Sequence, residues 1–242
     1  MLASAILAAW LCLHIYGLFF ERPHGPGLAL APVLILALCW LDVGLFIIAH
    51  DAMHGSLAPG RPRINSGFGR IALALYAAFR FDRLKPLHLA HHEAPGSSRD
   101  PDFSSAHPTR FWRWYGEFMR RYFGLNEFLM LCPPVAAYLA LGARIENILL
   151  FWALPAGLSS LQLFYFGTFL PHRHDGQPFA DHHNARTNEF TGLVSLLTCF
   201  HFGYHHEHHL APHVSWWALP AERRRRSLAR SDRQHAPLPR LP

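Results

Sequence analysis

Three short clusters of histidine carry the pattern in this sequence that is best suited to chemistry. They are His50-Asp-Ala-Met-His54, His88-Leu-Ala-His91-His92 and His205-His206-Glu-His208-His209. The first pair is spaced i, i+4 and the other two clusters contain the spacing i, i+3, i+4, which on a helix brings the rings to one face. Because imidazole is the commonest metal ligand among side chains, the three clusters together predict metal binding.

The number of imidazoles predicts two metal ions rather than one. A structural zinc ion takes four ligands and a catalytic zinc three protein ligands. At their i, i+3 and i+4 positions the clusters supply eight rings, those of His50, His54, His88, His91, His92, His205, His208 and His209. Imidazole suits iron, zinc, copper and nickel, so the ligand type leaves the metal open. A zinc hydrolase motif such as His-Glu-x-x-His carries a carboxylate base, and Asp51 occupies that slot as the candidate catalytic carboxylate.

Other residues near the clusters complete the candidate site. We predict His172 as a ninth ligand, because it directly follows an apolar run, with His174 and His201 as the alternatives. Six acidic residues are candidates to accept the outer N–H of ligand imidazoles and so fix their tautomers. They are Asp51, Glu93, Asp100, Asp102, Asp175 and Glu207.

Four apolar runs are available to position the clusters, over residues 2–20, 28–49, 128–143 and 148–170. About 20 residues cross the hydrocarbon core, so the first, second and fourth runs are long enough and the third needs its flanks. The first run lacks a basic leading segment and a small-residue cleavage site, which favours a retained helix over a signal peptide. Ala-Pro follows each histidine cluster, which predicts that each cluster occupies the closing turns of its helix.

Short links at 21–27 and 144–147 join the runs into two hairpins, which puts the segments 50–127 and 171–242 on one side. Of the 22 Lys and Arg residues in the chain, these segments hold 11 and 9, so the positive-inside rule predicts that both are cytoplasmic. We therefore predict a single-domain, all-α integral membrane protein of residues 1–242, with about four transmembrane helices and a cytoplasmic helical cap that bears a histidine-ligated two-metal site. Asp42, inside the second run, either has a function or pairs within the bundle.

The motifs around the histidines resemble those of the membrane-bound histidine-box oxygenases and desaturases, and among these the bacterial β-carotene ketolases. The resemblance covers about residues 40 to 220. It is carried by Phe46-Ile-Ile-Ala-His-Asp-Ala-Met-His-Gly, His91-His-Glu-Ala-Pro-Gly, Asp100-Pro-Asp-Phe, Leu170-Pro-His-Arg-His and Cys199-Phe-His-Phe-Gly-Tyr-His-His-Glu-His-His. Ser215 departs from the family, which commonly has proline before the tryptophan pair that follows it.

The resemblance implies a non-haem centre of two iron ions that activates dioxygen and converts the carbon-4 methylene of the β-carotene ring to a ketone. Two successive hydroxylations followed by loss of water give echinenone and canthaxanthin, and astaxanthin if zeaxanthin is accepted. The family also suggests a ferredoxin-type electron donor, in agreement with the lack of nucleotide, flavin and haem motifs. The basic run Arg223–Arg226 predicts contact with such an acidic donor or with anionic lipid. Nucleic acid is not an expected partner, because topology explains the positive charge.

Three rival functions stay open at this stage. A carotenoid hydroxylase and a fatty acyl desaturase would share the histidine clusters and the membrane spans. A histidine-rich metal transporter is a rival of another class, but its sites would lie near the middle of the bilayer, whereas these clusters lie at or beyond the ends of the runs. We expect the protein to reside in a bacterial inner membrane.

Overall fold

The described part of the chain, residues 1–25 and 27–235 of a computed structural model, contains helices and no strands. This confirms the predicted all-α class; residues 236–242 of the predicted segment 171–242 lie outside the described residues. The helices are α1 (Leu2–Phe19), α2 (Gly27–His54), α3 (Pro62–Ala77), α4 (Phe81–Glu93), α5 (Phe111–Tyr122), α6 (Leu125–Ala140), α7 (Ile145–His172), α8 (Gly192–Cys199), α9 (His205–Leu210) and α10 (Leu219–His235).

Three of these helices, α1, α2 and α7, are long and apolar enough to cross a membrane. The third predicted span is different: α6 has 16 residues, a rise of about 24 Å, which is short for the hydrocarbon core. It follows α5 after a bend of 69°, and the two helices meet the criteria for a span only as a pair. The predicted number of four therefore requires that this bent pair count as one span.

The two short links lie together at one end of the bundle. Arg144 Nη2 approaches His24 Nε2 at 3.4 Å, and the Asn147 side chain donates to the carbonyls of Gly17 and Glu21, both at 2.9 Å. The opposite end carries the histidine clusters, where Ser215 Oγ donates to the Ser56 carbonyl at 2.7 Å. This arrangement agrees with the predicted pair of hairpins.

Asp42 pairs within the bundle, which is one of the two roles that the sequence left open for it. The Trp10 indole N–H of α1 donates to Asp42 Oδ1 in α2 at 2.7 Å, and both side chains are buried. A buried polar group needs such a partner, because an unsatisfied one costs free energy comparable to a lost hydrogen bond. The pair thereby fixes α1 against α2.

Two glycines of α3 give a test of the packing that holds α4 in place. A Cβ atom at Gly69 would lie 2.2 Å from Phe81 Cε2, whereas nothing lies within 4 Å of a Cβ atom at Gly67. We expect Gly69→Ala to lower the free energy of unfolding by about 1–3 kcal/mol through overpacking. Gly67→Ala should raise it by about 0.5–1 kcal/mol, because alanine favours the helix. Thermal unfolding followed by circular dichroism in detergent checks both signs; equal effects would contradict the close contact.

Candidate metal centre

The histidine clusters lie at helix ends, as predicted from the Ala-Pro sequences. Helix α2 ends at His54 and α4 ends at Glu93, one residue past the second cluster. The third cluster forms the short helix α9, and α7 ends at His172. Because these four ends converge at one end of the bundle, residues far apart in sequence meet there.

Nine imidazoles form two groups in which the facing nitrogen atoms lie within 4.8 Å of one another. The first group contains His50, His54, His88, His92 and His208, and the second contains His91, His172, His205 and His209. Histidines spaced i, i+4 within a cluster belong to the same group. The i+3 histidine of each longer cluster belongs to the other group, so that His91 lies in the second group and His208 in the first. Helix geometry explains this division, since residues at i and i+4 are 40° apart around the axis and adjacent residues about 100°.

The ring nitrogens face one another at distances that suit a shared cation. In the first group the Nε2 atoms of His54 and His88 are 2.7 Å apart, and those of His208 and His92 are 3.0 Å apart. In the second group the Nε2 atom of His205 lies 2.9 Å from that of His172 and 3.0 Å from that of His209. Imidazole nitrogens bind a metal ion such as zinc at about 2.0–2.1 Å, so nitrogens this close together could share one ion.

Hydrogen bonds between the rings cannot satisfy all of the ring nitrogens that face one another in these groups. His91 Nδ1 donates to Asp100 at 2.9 Å and His172 Nδ1 donates to the Asn184 carbonyl at 2.7 Å. These bonds fix the tautomers, so the neutral form of each ring directs its Nε2 lone pair into the second group. Both nitrogens of His50 are buried without a hydrogen-bond partner among the described residues. The surplus of lone pairs is what a metal cation would satisfy, so the residues fit a metal.

Electrostatics keep most of the rings neutral and hence able to bind a cation. Burial, reinforced by the neighbouring imidazoles, holds the pKa values of His88, His205, His208 and His209 well below the ordinary histidine value. Burial opposes the charged form of His91 as well, but its hydrogen bond to Asp100 and the charges of Asp102 and Asp100 outweigh it and raise the pKa of His91. A neutral imidazole is the ligand form, whereas a protonated ring repels a cation.

Of the six acidic candidates, Asp100 makes the contact expected of an outer partner of a ligand imidazole. Besides His91, its carboxylate accepts the backbone N–H groups of Gly96 and Asp102, both at 2.7 Å. Asp175 pairs with Arg173 and Arg186 instead, and Glu207 accepts the Thr187 hydroxyl.

Asp51 is buried beside the first group, but its contacts are with the backbone. Asp51 Oδ2 accepts the Trp216 N–H at 3.1 Å, and Oδ1 lies 3.6 Å from His50 Nδ1. The carboxylate thus binds the start of the single turn Trp216–Ala218 that precedes α10. The catalytic role predicted for Asp51 stays a prediction.

Of the three candidates for the ninth position, the structure brings His172 into a group and leaves His174 and His201 outside. The His174 ring packs on Phe103 and the His201 ring stacks on Tyr204, with centroids 4.7 Å and 5.9 Å apart. Sequence reasoning missed the Asn184 carbonyl that orients His172. No side-chain pattern signals such a contact, because a main-chain carbonyl in a loop provides it.

An apolar cavity adjoins the metal centre, and four of the nine histidines line it: His50, His88, His91 and His205. Most of its other walls are aromatic or aliphatic side chains, among them Phe46, Phe79, Phe118, Phe164 and Phe202. Part of the wall belongs to the π-helical segment Phe164–Phe169 of α7, a type of distortion that is frequent at functional sites. The cavity suits a hydrocarbon better than a hydrophilic substrate.

Asp100 offers a test of the metal site. We expect Asp100→Asn to weaken metal binding by about 10–100-fold, because the carboxylate that fixes His91 loses its charge. The measurement is metal retained per chain after dialysis against a graded series of chelator concentrations.

The matched control for Asp100→Asn is Asp175→Asn. Asp175 pairs with Arg173 and Arg186 and belongs to neither group of histidines. Metal loss in both variants alike would contradict the assigned role of Asp100.

Comparison with known proteins adds two findings. The profile of one protein family, described as fatty acid desaturase, matches residues 26–147 and 127–238. Curated relatives include a beta-carotene ketolase of Paracoccus sp., 51% identical over 92% of this chain and 91% of that protein. A zeaxanthin 4-ketolase of Chlamydomonas reinhardtii is 36% identical over 90% of this chain and 51% of that protein. A beta-carotene ketolase of Haematococcus lacustris is 40% identical over 79% of this chain and 61% of that protein.

Proposed function

Because the chain belongs to the fatty acid desaturase family and, within it, to the β-carotene ketolases, we propose that it oxidises carbon 4 of the β-carotene ring to a ketone. Oxidation of one ring gives echinenone and oxidation of both gives canthaxanthin. The similarity to a zeaxanthin 4-ketolase extends the proposal to 3-hydroxylated rings, which would give astaxanthin. The protein is accordingly an oxidoreductase.

One observation carries the proposal: the candidate metal centre opens onto an apolar cavity, and the same imidazoles that could hold metal form part of the cavity wall. A hydrocarbon ring in that cavity would lie directly against the centre. The aromatic walls would bury the ring and exclude water, and positioning of this kind accelerates a reaction by fixing the attacked carbon in one orientation.

We propose that the two groups of histidines hold two iron ions, one group for each ion, with Asp100 orienting His91 and the Asn184 carbonyl orienting His172. Bound iron would supply the activation of dioxygen. Imidazole-rich sites of this kind suit iron, although zinc also fits the ligand type. Helices α2, α4, α7 and α9 would hold the rings in place, because each proposed ligand lies in a helix that packs at this end of the bundle.

The reaction balances with dioxygen as oxidant and a one-electron donor as reductant. Each hydroxylation consumes one dioxygen, two electrons and two protons, and forms one hydroxyl group and one water. A second hydroxylation of the same carbon gives a geminal diol, and loss of water from the diol leaves the ketone. The chain's own residues must keep the same carbon beside the centre through both hydroxylations.

A ferredoxin-type protein is the electron donor that we propose, and the carotenoid would enter from the bilayer. We place the protein in the bacterial inner membrane with the histidine clusters on the cytoplasmic side, where the donor is available. The basic run Arg223–Arg226 of α10 is partly neutralised within the protein, since Arg225 and Arg226 pair with Glu222 at 2.7 Å and 2.5 Å.

Expression of the chain in cells that accumulate β-carotene, followed by chromatography of the pigments, tests the proposed function. Echinenone and canthaxanthin are the expected products. Ring alcohols alone would indicate a hydroxylase, and unchanged pigment in cells that demonstrably contain the protein would exclude ketolase activity. Metal analysis of the purified protein should give about two irons per chain, whereas exchangeable zinc or nickel without oxygen uptake would favour transport.

A further inference from the structure

The cavity beside the metal centre contains few polar groups, and hydrogen bonds within the protein already satisfy several of them. The Tyr76 hydroxyl donates to the Ala156 carbonyl at 3.3 Å, and Ser160 Oγ donates to the Gly157 carbonyl at 2.9 Å. Asp102 is the one acidic residue among the described residues that line the cavity. A carboxyl group buried beside an apolar cavity costs free energy unless its oxygens find hydrogen-bond or charged partners.

The two oxygens of Asp102 differ in their contacts. The Tyr122 hydroxyl donates to Oδ1, and Tyr122 also lines the cavity. No group among the described residues donates to Oδ2, which lies 3.9 Å from His91 Nδ1. That N–H already donates to Asp100 at 2.9 Å. Asp102 Oδ2 is therefore a hydrogen-bond acceptor with unused capacity, held by Tyr122 beside a candidate ligand ring.

A ketolase has a use for such an acceptor that a hydroxylase lacks. After the first hydroxylation the product is an alcohol at carbon 4, and the same carbon must be attacked again. An alcohol that turns or leaves the cavity is a final product, whereas an alcohol held by its hydroxyl keeps its remaining carbon-4 hydrogen beside the centre. Whether the cavity retains the carbon-4 alcohol therefore decides whether the final product is a ketone or an alcohol.

We propose that Asp102 Oδ2 accepts a hydrogen bond from the carbon-4 hydroxyl of the alcohol and thereby commits it to the second hydroxylation. The inference rests on the proposed ketolase function. Tyr122 acts as a positioning residue, because its hydroxyl fixes the orientation of the carboxyl group. Only a hydrogen bond forms in this step, and the oxidant and reductant are those of the hydroxylations themselves.

The test measures the ratio of carbon-4 alcohol to ketone made from β-carotene by Asp102→Leu, which keeps a side chain of similar size and removes the acceptor. We expect the ratio to rise about tenfold, the effect of losing a hydrogen bond to a charged group. Tyr122→Phe should shift the ratio in the same direction by less. Bound iron is measured in parallel, because loss of metal would lower the yields of alcohol and ketone together and leave the ratio unchanged.

Two further variants separate this inference from its rivals. Asp82→Asn alters an exposed carboxylate that pairs with Arg70 and should keep the wild-type ratio. Thr168 lines the cavity and its hydroxyl has no hydrogen-bond partner among the described residues, so a shift in Thr168→Val without one in Asp102→Leu would overturn the assignment.

The outcome also distinguishes this inference from the proposed function. Wild-type protein that makes no ketone refutes the ketolase function itself. Wild-type protein that makes ketone, together with an unchanged ratio in the Asp102 and Tyr122 variants, refutes only the role of Asp102. If Asp102→Leu does not accumulate, Tyr122→Phe decides, because an unchanged ratio in that variant overturns the inference.

Discussion

Replacement of His50, His91 or His208 by alanine is expected to abolish ketone formation. His50 and His208 belong to the first group of imidazoles and His91 to the second, so the three substitutions test both groups. Even outer partners of ligand rings are worth about 10–100-fold in metal affinity, and loss of a ligand itself should lower ketone formation by more than about 100-fold. The measurement is pigment chromatography, with bound iron determined on the same preparations.

The metal content makes this prediction sharper than a loss of activity alone. His91→Ala leaves the five histidines of the first group intact, so under the proposal of one iron for each group, bound iron should fall from about two to about one per chain. His24→Ala is the distant control, because His24 lies beside Arg144 in the link before α2, at the end of the bundle opposite the histidine clusters, and it should leave ketone formation near normal. His206→Ala is the close control, since this ring is on the same short helix but outside both groups. Ketone formation that survives the three ligand substitutions would refute the assignment.

The sequence was sufficient to predict that the histidine clusters lie at helix ends. Long apolar runs defined α1, α2 and α7, and Ala-Pro after each cluster marked where the helices stop. Both signals are local, since a proline restricts the residue before it and burial of a run depends on its own composition. The ninth histidine was predictable for the same reason, because His172 directly follows an apolar run and α7 ends there.

The division of the histidines into two groups was not predicted. The spacing i, i+3, i+4 indicated one shared face, but the structure separates His91 from its neighbour His92 and His208 from its neighbour His209. Helix geometry requires that the rings of adjacent residues point in different directions. Tertiary packing decides which rings of other helices each of them meets. The bend of 69° between α5 and α6 was not predicted either. The composition of the apolar run 128–143 does not indicate the orientation of the helix that precedes it.

The cavity could not be predicted from the sequence. A substitution in its wall is expected to have the second large effect on ketone formation. Gly167 lies in the π-helical segment of α7 and lines the cavity, and a Cβ atom there would lie 3.3 Å from Phe202 Cδ1. The longer side chain in Gly167→Leu must occupy space that the proposed substrate ring needs. A side chain that keeps the ring out of its productive position should lower ketone formation by about 100-fold, which corresponds to about 3 kcal/mol of transition-state stabilisation.

Gly167→Leu should retain its bound metal, unlike the ligand variants, because Gly167 contributes no ligand atom. The matched control is Gly157→Leu on the same helix, where nothing lies within 4 Å of an added Cβ atom; it should keep both activity and metal. The measurements are ketone yield, iron per chain and the melting temperature of each purified variant. If Gly167→Leu forms ketone at the wild-type rate, the ring binds elsewhere; if ketone and iron disappear together, the residue supports the metal centre. Loss of ketone with iron retained would mean that the wild-type substrate binds in this cavity. It would also mean that metal binding does not depend on open space at Gly167.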